Sequence, residues 1–135
     1  MDKSFDLAKR FATLMDNNQY VDAGKMMADD CQYLFQDKRI DGASAILKTY
    51  IDNYTSASKT LDEIQFTSEV EPIESNSLYR LKYLDRIRKG DSWFEHRCEQ
   101  HIKIENGEIT TIVHVDLPGE AEKLKSWRDE MGIKR

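Results

Sequence analysis

The chain has 135 residues, of which 39% are apolar and 33% charged, as is typical of one globular domain with its own core. A formal net charge of −5 argues against nucleic acid or an anionic membrane as a partner. The two cysteines, Cys31 and Cys98, are too few for a disulfide framework and are expected to be reduced thiols. The sequence shows neither a bilayer-length apolar run nor the apolar segment of a signal peptide, so we expect a cytoplasmic protein.

Helical periodicity marks three segments in the first half of the chain. Leu7, Phe11 and Leu14 share one face of the first helix, and Ser4 is placed to cap its N-terminus. In chain order, the predicted elements are a helix ending before Asn17, a helix from about Tyr20 to Ala28, a strand at 31–35 that turns back toward 39–41, and a helix from about Ala43 to Ser56 with Ile46, Leu47, Tyr50, Ile51 and Tyr54 on its buried side.

The second half of the chain has the periodicity of strands. Ile64, Phe66 and Val70 alternate with polar residues, which predicts a strand with one buried face and one wet face. Pro118-Gly119 ends the last strand, and Gly132 is expected to cap a closing helix. The elements therefore predict a single α+β domain over residues 1–135, with further strands at about 78–89, 92–104 and 108–117.

The turn at Gly90-Asp91 fixes the register of the first long hairpin. A two-residue turn at this position pairs Lys89 with Ser92. The outer face then sets basic residues of one strand against acidic residues of the other, as with Arg86 and Glu95, which supports the register independently. Counting back from the turn, the inward pairs are Ile87–Phe94, Asp85–His96, Tyr83–Cys98 and Leu81–Gln100.

The turn between the last two strands leaves two registers open. A three-residue loop at Glu105-Asn106-Gly107 pairs Ile104 with Glu108, and we prefer it because it keeps Ile104 inside. A tighter, two-residue turn shifts the pairing by one residue and places His114 beside Glu99. In the preferred register, Cys98 faces His114, His96 faces Asp116 and Gln100 faces Ile112.

The preferred register gathers titratable side chains on the inner face of the sheet. A histidine between two carboxylates is suited to act as a general base, because one carboxylate fixes its tautomer and stabilises its charged form. Buried charges are costly unless paired, so simple packing does not explain such a row. A catalytic or ligand-contacting role stays open beside two others, a solvated row at the end of the sheet and a satisfied polar pair of Asp85 and His96. The first row is Asp85, His96 and Asp116, the second is Tyr83, Cys98 and His114, and Tyr33 and Phe35 add an aromatic wall.

Other interpretations of these residue types are open. The aspartates and histidines are suitable ligands for a divalent ion, although no compact metal motif occurs. Cys98 beside His114 has the make-up of a nucleophile and its base, but a small thiol that fills the core is preferred. On the outer face, basic residues stand opposite Glu95 and Glu99, which favours a homodimer interface carrying Trp93 over a nucleic-acid surface.

Three short sequences accompany the order of the predicted elements. They are Arg10-Phe11 leading to Ala28-Asp29-Asp30-Cys31, Ile40-Asp41-Gly42 before the third helix, and Asn106-Gly107-Glu108-Ile109 before the last strand. Together they resemble the nuclear-transport-factor-2-like superfamily, in its SnoaL-like form, over nearly the whole chain. The resemblance implies a strongly curved, mostly antiparallel sheet of about six strands, wrapped on three helices of the N-terminal half as a cone with one pocket, plus a C-terminal helix.

Carried over by position, the resemblance argues against one reaction of that superfamily. Phe11 stands where ketosteroid isomerases have an oxyanion-hole tyrosine, Phe35 where they have the aspartate base, and Gln100 where they have a second acid. All three groups are lost, so steroid isomerisation by that mechanism is not expected. The dehydratases of the superfamily work with pocket histidines and aspartates, which this sequence resembles in residue types only.

The leading hypothesis is a pocket protein for a small, partly apolar organic molecule, with cofactor-free isomerisation, dehydration or cyclisation as its chemistry. We expect His96 to be the base, Asp85 and Asp116 its partners, and His114 and Tyr83 to polarise the substrate. The competing hypothesis is a non-catalytic ligand-binding or dimerisation module, and neither a metal nor another cofactor is expected. The predicted ligand contacts are Tyr33, Phe35, Phe11, Cys98, Gln100 and Ile112.

Overall fold

A six-stranded sheet and four helices make up the fold. The computed structural model describes residues 3–73 and 77–133. None of the helices within these residues combines the length and the apolar content that a membrane span requires. In chain order the elements are α1 (Lys3–Asp16), α2 (Tyr20–Gly24), β1 (Met27–Phe35), β2 (Lys38–Asp41), α3 (Ala43–Thr60), β3 (Glu63–Pro72), β4 (Leu78–Lys89), β5 (Ser92–Glu105), β6 (Glu108–Asp116) and α4 (Glu120–Met131).

The strands lie side by side in the order β2-β1-β6-β5-β4-β3. Every neighbouring pair is antiparallel except β1 and β6, which run parallel. The sheet remains open, with β2 and β3 as its two edges. This arrangement confirms the predicted α+β class, with a mostly antiparallel sheet of six strands and its helices in the N-terminal half and at the C-terminus.

The hydrophobic core lies between the helices and the inner face of the sheet. Phe11 of α1 and Ile46 of α3 are fully buried, in one cluster with Leu81, Ile102 and Ile112 of the central strands. Strand alternation places such apolar side chains on one face of the sheet and leaves charged side chains on the other. Each fully buried side chain of this size stabilises the fold by about 1.5–3 kcal/mol, so this layer holds the inner face in place.

The second predicted helix is too long in the sequence interpretation, because its last residues pair with the sheet. α2 ends at Gly24 and β1 begins at Met27, whereas the helix was expected to reach Ala28. The backbone N–H of Ile109 donates to the carbonyl of Met26 at 2.8 Å, and Met27 lies opposite Ile109 across the parallel pair. Sheet pairing with a strand more than 80 residues away therefore overrides the local preference for helix.

Three smaller expectations for the helices also change. α1 begins at Lys3, so Ser4 lies inside its first turn and is not its N-cap. α3 runs on to Thr60, beyond the predicted end at Ser56. Ile51, expected on the buried side of α3, is 36% exposed, because the fully buried position of this helix is Ile46 and Ile51 lies off that face.

The first long hairpin has the predicted register throughout. Gly90, with φ at 59°, opens a two-residue turn that pairs Lys89 with Ser92. The outer-face ion pairs follow, with Arg86 Nε 3.5 Å from a carboxylate oxygen of Glu95. The inward pairs Ile87–Phe94, Asp85–His96, Tyr83–Cys98 and Leu81–Gln100 are all confirmed.

The preferred turn of the last hairpin is wrong. Asn106 and Gly107, with φ at 52° and 77°, form a two-residue turn in which both central residues have positive φ. This turn pairs Glu105 with Glu108, whereas the preferred three-residue loop paired Ile104 with Glu108. The tighter turn that the sequence left as an alternative is therefore the one formed.

A β-bulge then changes the register of the same hairpin a second time. Ile104 lies opposite Ile109, yet the next residue of β5, Lys103, lies opposite Thr111. Thr110 is thus the additional residue on β6, as in a bulge where two residues of one strand oppose one of the other.

The hydrophobic pattern of β6 gives the physical reason for this bulge. Ile109 and Ile112 stand three residues apart, so a regular strand would place them on opposite faces. Both are buried, at 1% and 0% exposure, and the additional residue lets both face the core. His114 and Asp116 consequently stay on the inner face, but each lies two positions away from its predicted partner.

Contacts with β5 fix α4 near both of its ends. The carboxylate of Glu120 accepts a hydrogen bond from the backbone N–H of Arg97 at 2.7 Å. The ring of Trp127 stacks on Phe94, with 5.5 Å between the centroids. The predicted cap Gly132, with φ at 72°, ends the helix. Together these contacts place α4 against the end of β5 that carries Phe94.

Substitution of Trp127 tests this docking. Trp127→Phe keeps a packed ring but removes the indole N–H that donates to Ser92 Oγ at 2.9 Å, so we expect the free energy of unfolding to fall by about 1 kcal/mol. Trp127→Ala also leaves a cavity and should lower it by about 3–5 kcal/mol. Urea denaturation measures both. Ser92→Ala is the matched control and should behave as Trp127→Phe does; equal losses in the Phe and Ala variants would contradict the packing role.

Candidate functional site

The observed register brings the predicted polar residues together in a different arrangement. Asp116, expected opposite His96, lies opposite Cys98, and His114, expected opposite Cys98, lies opposite Gln100. The predicted row of Asp85, His96 and Asp116 is therefore wrong in its third member, because the tighter turn and the bulge each move β6 by one residue along β5. The inner-face rows are Leu81–Gln100–His114, Tyr83–Cys98–Asp116, and the pair Asp85–His96.

A chain of hydrogen bonds runs from α3 across β5 to β6. The Tyr50 hydroxyl donates to Oε1 of Gln100 at 3.1 Å. Nε2 of Gln100 lies 3.4 Å from Nδ1 of His114, and Nε2 of His114 lies 3.2 Å from Oδ1 of Asp116. Burial raises the pKa of Tyr50 well above its ordinary value, which keeps this phenol protonated and able to donate. The chain thus links two buried groups, Tyr50 and Gln100, to the half-buried pair His114–Asp116.

This chain fixes the tautomer of His114. Since Gln100 accepts from Tyr50 through its oxygen, its amide nitrogen donates to Nδ1 of the imidazole. The proton of the neutral ring then lies on Nε2, which donates to Asp116. Both nitrogens of His114 are therefore engaged, and the carboxylate of Asp116 is the member of the chain with an oxygen left over.

Aromatic side chains of β1 and α3 lie around His114. The ring of Tyr33 stacks on it with 6.4 Å between centroids, and Phe35 meets it edge-on at 5.0 Å. Tyr50 contacts Tyr33 edge-on at 5.9 Å. Burial raises the pKa of Tyr33 to about 12, so this wall is uncharged at neutral pH.

His96 differs from His114 because one of its nitrogens has no partner. Its Nδ1 atom is buried and makes no hydrogen bond within the described part of the chain, so the expected pair with Asp85 does not form through this nitrogen. Burial lowers the pKa of His96 from 6.5, and the charges of Glu120 and Asp116 oppose this shift. His96 is therefore neutral at pH 7 and has a ring nitrogen available in the interior.

Asp85 and Tyr83 are the complementary acidic groups on the neighbouring strand. Burial raises the pKa of Asp85 to about 7, and the charge of Asp16 adds to this shift. The hydroxyl oxygen of Tyr83 is buried without a hydrogen-bond partner among the described residues, and burial raises its pKa well above the ordinary value. Near pH 7, these two side chains offer a carboxylic and a phenolic proton to the same inner face.

A small cavity opens beside the aromatic wall, between β1 and α3. Its volume is about 20 Å³, which holds about one water molecule and no organic ligand. Its lining includes Tyr33, whose ring stacks on His114, and Tyr50. The lining residues are Tyr33, Ile46, Thr49, Tyr50 and Asn53.

Several predicted site residues serve the core in this structure. Phe11 and Ile112 are fully buried in the main apolar cluster. Burial raises the pKa of Cys98 to about 12 and that of Cys31 to about 11, so both cysteines remain thiols rather than reactive thiolates. Within residues 3–73 and 77–133, no group of three or more histidine, cysteine and acidic side chains is arranged to hold a metal ion.

Two residues of the polar interior were missed by the sequence interpretation. Tyr50 was assigned to the apolar face of α3, yet its hydroxyl starts the chain to His114. Asp16 ends α1 next to the Asn17-Asn18 break, and its carboxylate accepts a hydrogen bond from Ser68 at 2.6 Å. The sequence did hold a signal for Tyr50, because a tyrosine on a buried helix face needs a hydrogen-bond partner for its hydroxyl. It held none for Asp16, whose position depends on how α1 packs on β3.

Comparison with solved structures places this geometry among known folds, although no protein-family model and no curated protein matches the sequence. A nuclear-transport-factor-2-like protein of unknown function from Burkholderia pseudomallei is 13% identical, with a TM-score of 0.70 over 93% of this chain and 97% of that one. A candidate polyketide cyclase from Xanthomonas campestris is 11% identical, with a TM-score of 0.69 over 95% and 96%.

A de novo designed protein with a curved β-sheet is similar to the same extent. It is 13% identical, with a TM-score of 0.64 over 98% of each chain. A backbone of this kind therefore exists without an evolved activity, so the likeness carries the fold and not a reaction. Its topology and these matches show that the chain shares the fold of the nuclear-transport-factor-2-like protein and the candidate polyketide cyclase.

Proposed function

We propose that the protein binds a small, partly apolar organic molecule on the inner face of its sheet and transfers protons on it without a cofactor. The observation that carries this proposal concerns two groups on adjacent strands, Nδ1 of His96 and the hydroxyl of Tyr83, which are buried and have no hydrogen-bond partner in residues 3–73 and 77–133. Buried polar atoms are nearly always hydrogen-bonded, so such atoms indicate a partner that binds there. The reaction class is isomerisation, dehydration or cyclisation.

His96 is the base in this proposal, and Asp85 is the proton donor. The two stand opposite each other on β5 and β4, with His96 favoured as the neutral ring and the pKa of Asp85 raised to about 7. Environments that push a carboxyl and an imidazole in these directions produce an acid and a base at the same pH. Tyr83 orients the substrate oxygen, and His114 with Asp116 supplies a fixed polar wall one strand away.

A non-catalytic binding or dimerisation module is the second candidate. It is favoured by the aromatic packing of Tyr33, Phe35 and Tyr50 around His114, and by a cavity that holds about one water molecule. In that case the polar chain would serve to fix the core. The two candidates differ in whether the inner face exchanges protons with a bound molecule.

Deuterium exchange at the carbon next to the carbonyl of small cyclic ketones separates these candidates. We expect the protein to accelerate exchange independently of buffer concentration, and His96→Gln to reduce the rate by about 10²-fold or more, as is usual for loss of a general base. His101→Gln, on the outer face, is the matched control and should leave the rate unchanged. Exchange at the buffer rate with the whole ketone panel, or an unaffected His96→Gln variant, would favour the module.

The pH dependence of this exchange should be bell-shaped. The rate should rise as His96 loses its proton, at a pKa below 6.5, and fall as Asp85 ionises near pH 7. Asp85→Asn should lower the rate and abolish the alkaline limb, while the acid limb remains. An alkaline limb that persists in Asp85→Asn would exclude this carboxyl as the donor.

The raised pKa of Asp85 also predicts how the free energy of unfolding depends on pH. The folded state binds its proton more tightly than the unfolded chain, whose carboxyl has a pKa of 3.8, so stability should fall as pH rises from about 4 to 7. Asp85→Asn removes this loss and should raise the free energy of unfolding at pH 8 by roughly 2–4 kcal/mol, with a smaller gain at pH 4. Urea titrations at the two pH values measure this. Asp91→Asn, at an exposed turn, should show no such dependence.

We also propose that two copies of the chain associate through the outer face of the sheet. Trp93 is 41% exposed there, with the guanidinium groups of Arg86 and Arg88 at 4.9 and 5.7 Å from its ring. Acidic partners such as Glu95 balance these arginines, so a second copy meets no net like charge. The face therefore suits self-association better than a polyanion.

Substitution of Trp93 tests this association. Light scattering at micromolar concentration should give the mass of two chains for the unchanged protein and of one chain for Trp93→Glu, because a carboxylate covered by the second copy would be desolvated without a partner. Val21→Glu, at a position 61% exposed on α2, is the control and should remain a dimer. A single-chain mass for the unchanged protein would refute the proposal.

A further inference from the structure

A second carboxyl group, that of Asp16, reaches the interior near Asp85. It is the last residue of α1, and its Oδ2 accepts a hydrogen bond from Ser68 Oγ at 2.6 Å. Its other oxygen, Oδ1, is buried and has no hydrogen-bond partner within the described residues. The carboxyl is therefore held in a fixed position by one oxygen while the other faces the interior unpaired.

The strand register places this carboxyl beside the proposed proton donor. Ser68 of β3 lies opposite Tyr83 of β4, and Asp85 is two residues further along the same inward face. Side chains diagonal to each other across an antiparallel pair lie about 7–8 Å apart or less. Asp16, bonded to Ser68, is thus brought to the same corner of the inner face as Tyr83 and Asp85.

The groups around this corner supply no positive charge. The titratable side chains that face it are Tyr20 from α2, Tyr50 from α3, and His96 and Cys98 from β5, together with Tyr83. No ion pair joins a lysine or arginine to Asp16 or Asp85 in residues 3–73 and 77–133. Two like charges at a poorly solvated corner repel each other, so ionising both carboxyls is costly.

We propose that Asp16 and Asp85 share a single proton at neutral pH, and that Asp16 is a positioning residue that keeps this proton on Asp85. Burial raises the pKa of Asp16, and the hydrogen bond from the Ser68 hydroxyl opposes this shift by stabilising the ionised form, which leaves the larger share of the proton to Asp85. This arrangement makes Asp85 a carboxylic acid next to the neutral His96. The pair titrates as one unit, and its two steps belong to both residues.

The role of the shared proton in catalysis rests on the proposed function. This role suits a substrate that has a hydroxyl or carbonyl oxygen next to an acidic C–H bond. In a dehydration, His96 takes the proton from carbon and the electron pair of that C–H bond forms a carbon–carbon double bond. The C–O bond on the neighbouring carbon breaks, and the hydroxyl leaves as water with the proton of Asp85. The proton on His96 then returns to the carboxyl pair through solvent. The pairing itself does not require that chemistry.

Carboxyl ¹³C NMR titration of the full chain tests the pairing directly. In the unchanged protein, the signals of Asp16 and Asp85 should both move in each of two steps, the upper one near pH 7. Asp16→Asn should lower the Asp85 midpoint by about one pH unit, since the like charge is gone while burial remains. Asp22→Asn, an exposed carboxylate on α2, is the matched control and should leave that midpoint in place.

Ser68→Ala provides a second test that leaves both carboxyls in the chain. Without the hydroxyl, Asp16 takes a larger share of the proton, and its ¹³C signal should carry most of the upper step. The inference is overturned if the Asp85 midpoint is unchanged in Asp16→Asn. It is also overturned if, in Ser68→Ala, the upper titration step is distributed between the two ¹³C signals as in the unchanged protein.

The outcomes of the two lines of experiment are separable. Coupled carboxyls without ketone exchange would support the shared proton and refute the proposed function. Exchange that depends on His96 but not on Asp16, with uncoupled carboxyls, would overturn only the inference.

Discussion

The extra residue at Thr110 in β6 is the constraint on which the inner face depends. The core needs both Ile109 and Ile112, and residues three apart share a face only if the strand carries a bulge. Burial of two isoleucines stabilises the fold by several kcal/mol, more than one irregular ladder step costs. Beyond the bulge, the alternation resumes and sets His114 and Asp116 inward. The apolar packing of one strand thereby decides which polar groups meet.

The sequence predicted those features that a local rule controls. The turn at Gly90-Asp91 and the cross-strand charges were sufficient for the first hairpin, because turn type and side-chain pairing agree there. In the last hairpin the turn rule allowed two turns, and the preferred one placed Ile109 on the outer face of the sheet. The three-residue spacing of Ile109 and Ile112 was the signal for the bulge. The end of α2 and the place of Asp16 depend on contacts with distant strands, which no local pattern contains.

The polar groups of the interior differ in whether their hydrogen bonds are made. The chain from Tyr50 to Asp116 uses both nitrogens of His114 and leaves that ring fixed. On the other side of Cys98, His96 and Tyr83 each have a buried polar atom that no described residue hydrogen-bonds. A satisfied network rigidifies its surroundings, whereas an unsatisfied one marks where binding is favourable. The same sheet therefore carries the fixed ring of His114 and, a few residues away, the side chains of His96 and Tyr83, where binding of a partner is favourable.

The parallel pairing of β1 with β6 has a consequence for how the molecule assembles. The strands β3, β4 and β5 are consecutive hairpin neighbours and have short loops to close. β1 must instead await a strand that is synthesised more than 70 residues later, since Phe35 pairs with His114. Contacts of such long separation form slowly and late. The contact between Phe35 and His114 therefore requires a loop of long separation to close, and during synthesis on the ribosome the edge of β1 that pairs with β6 stays unpaired until β6 has been made.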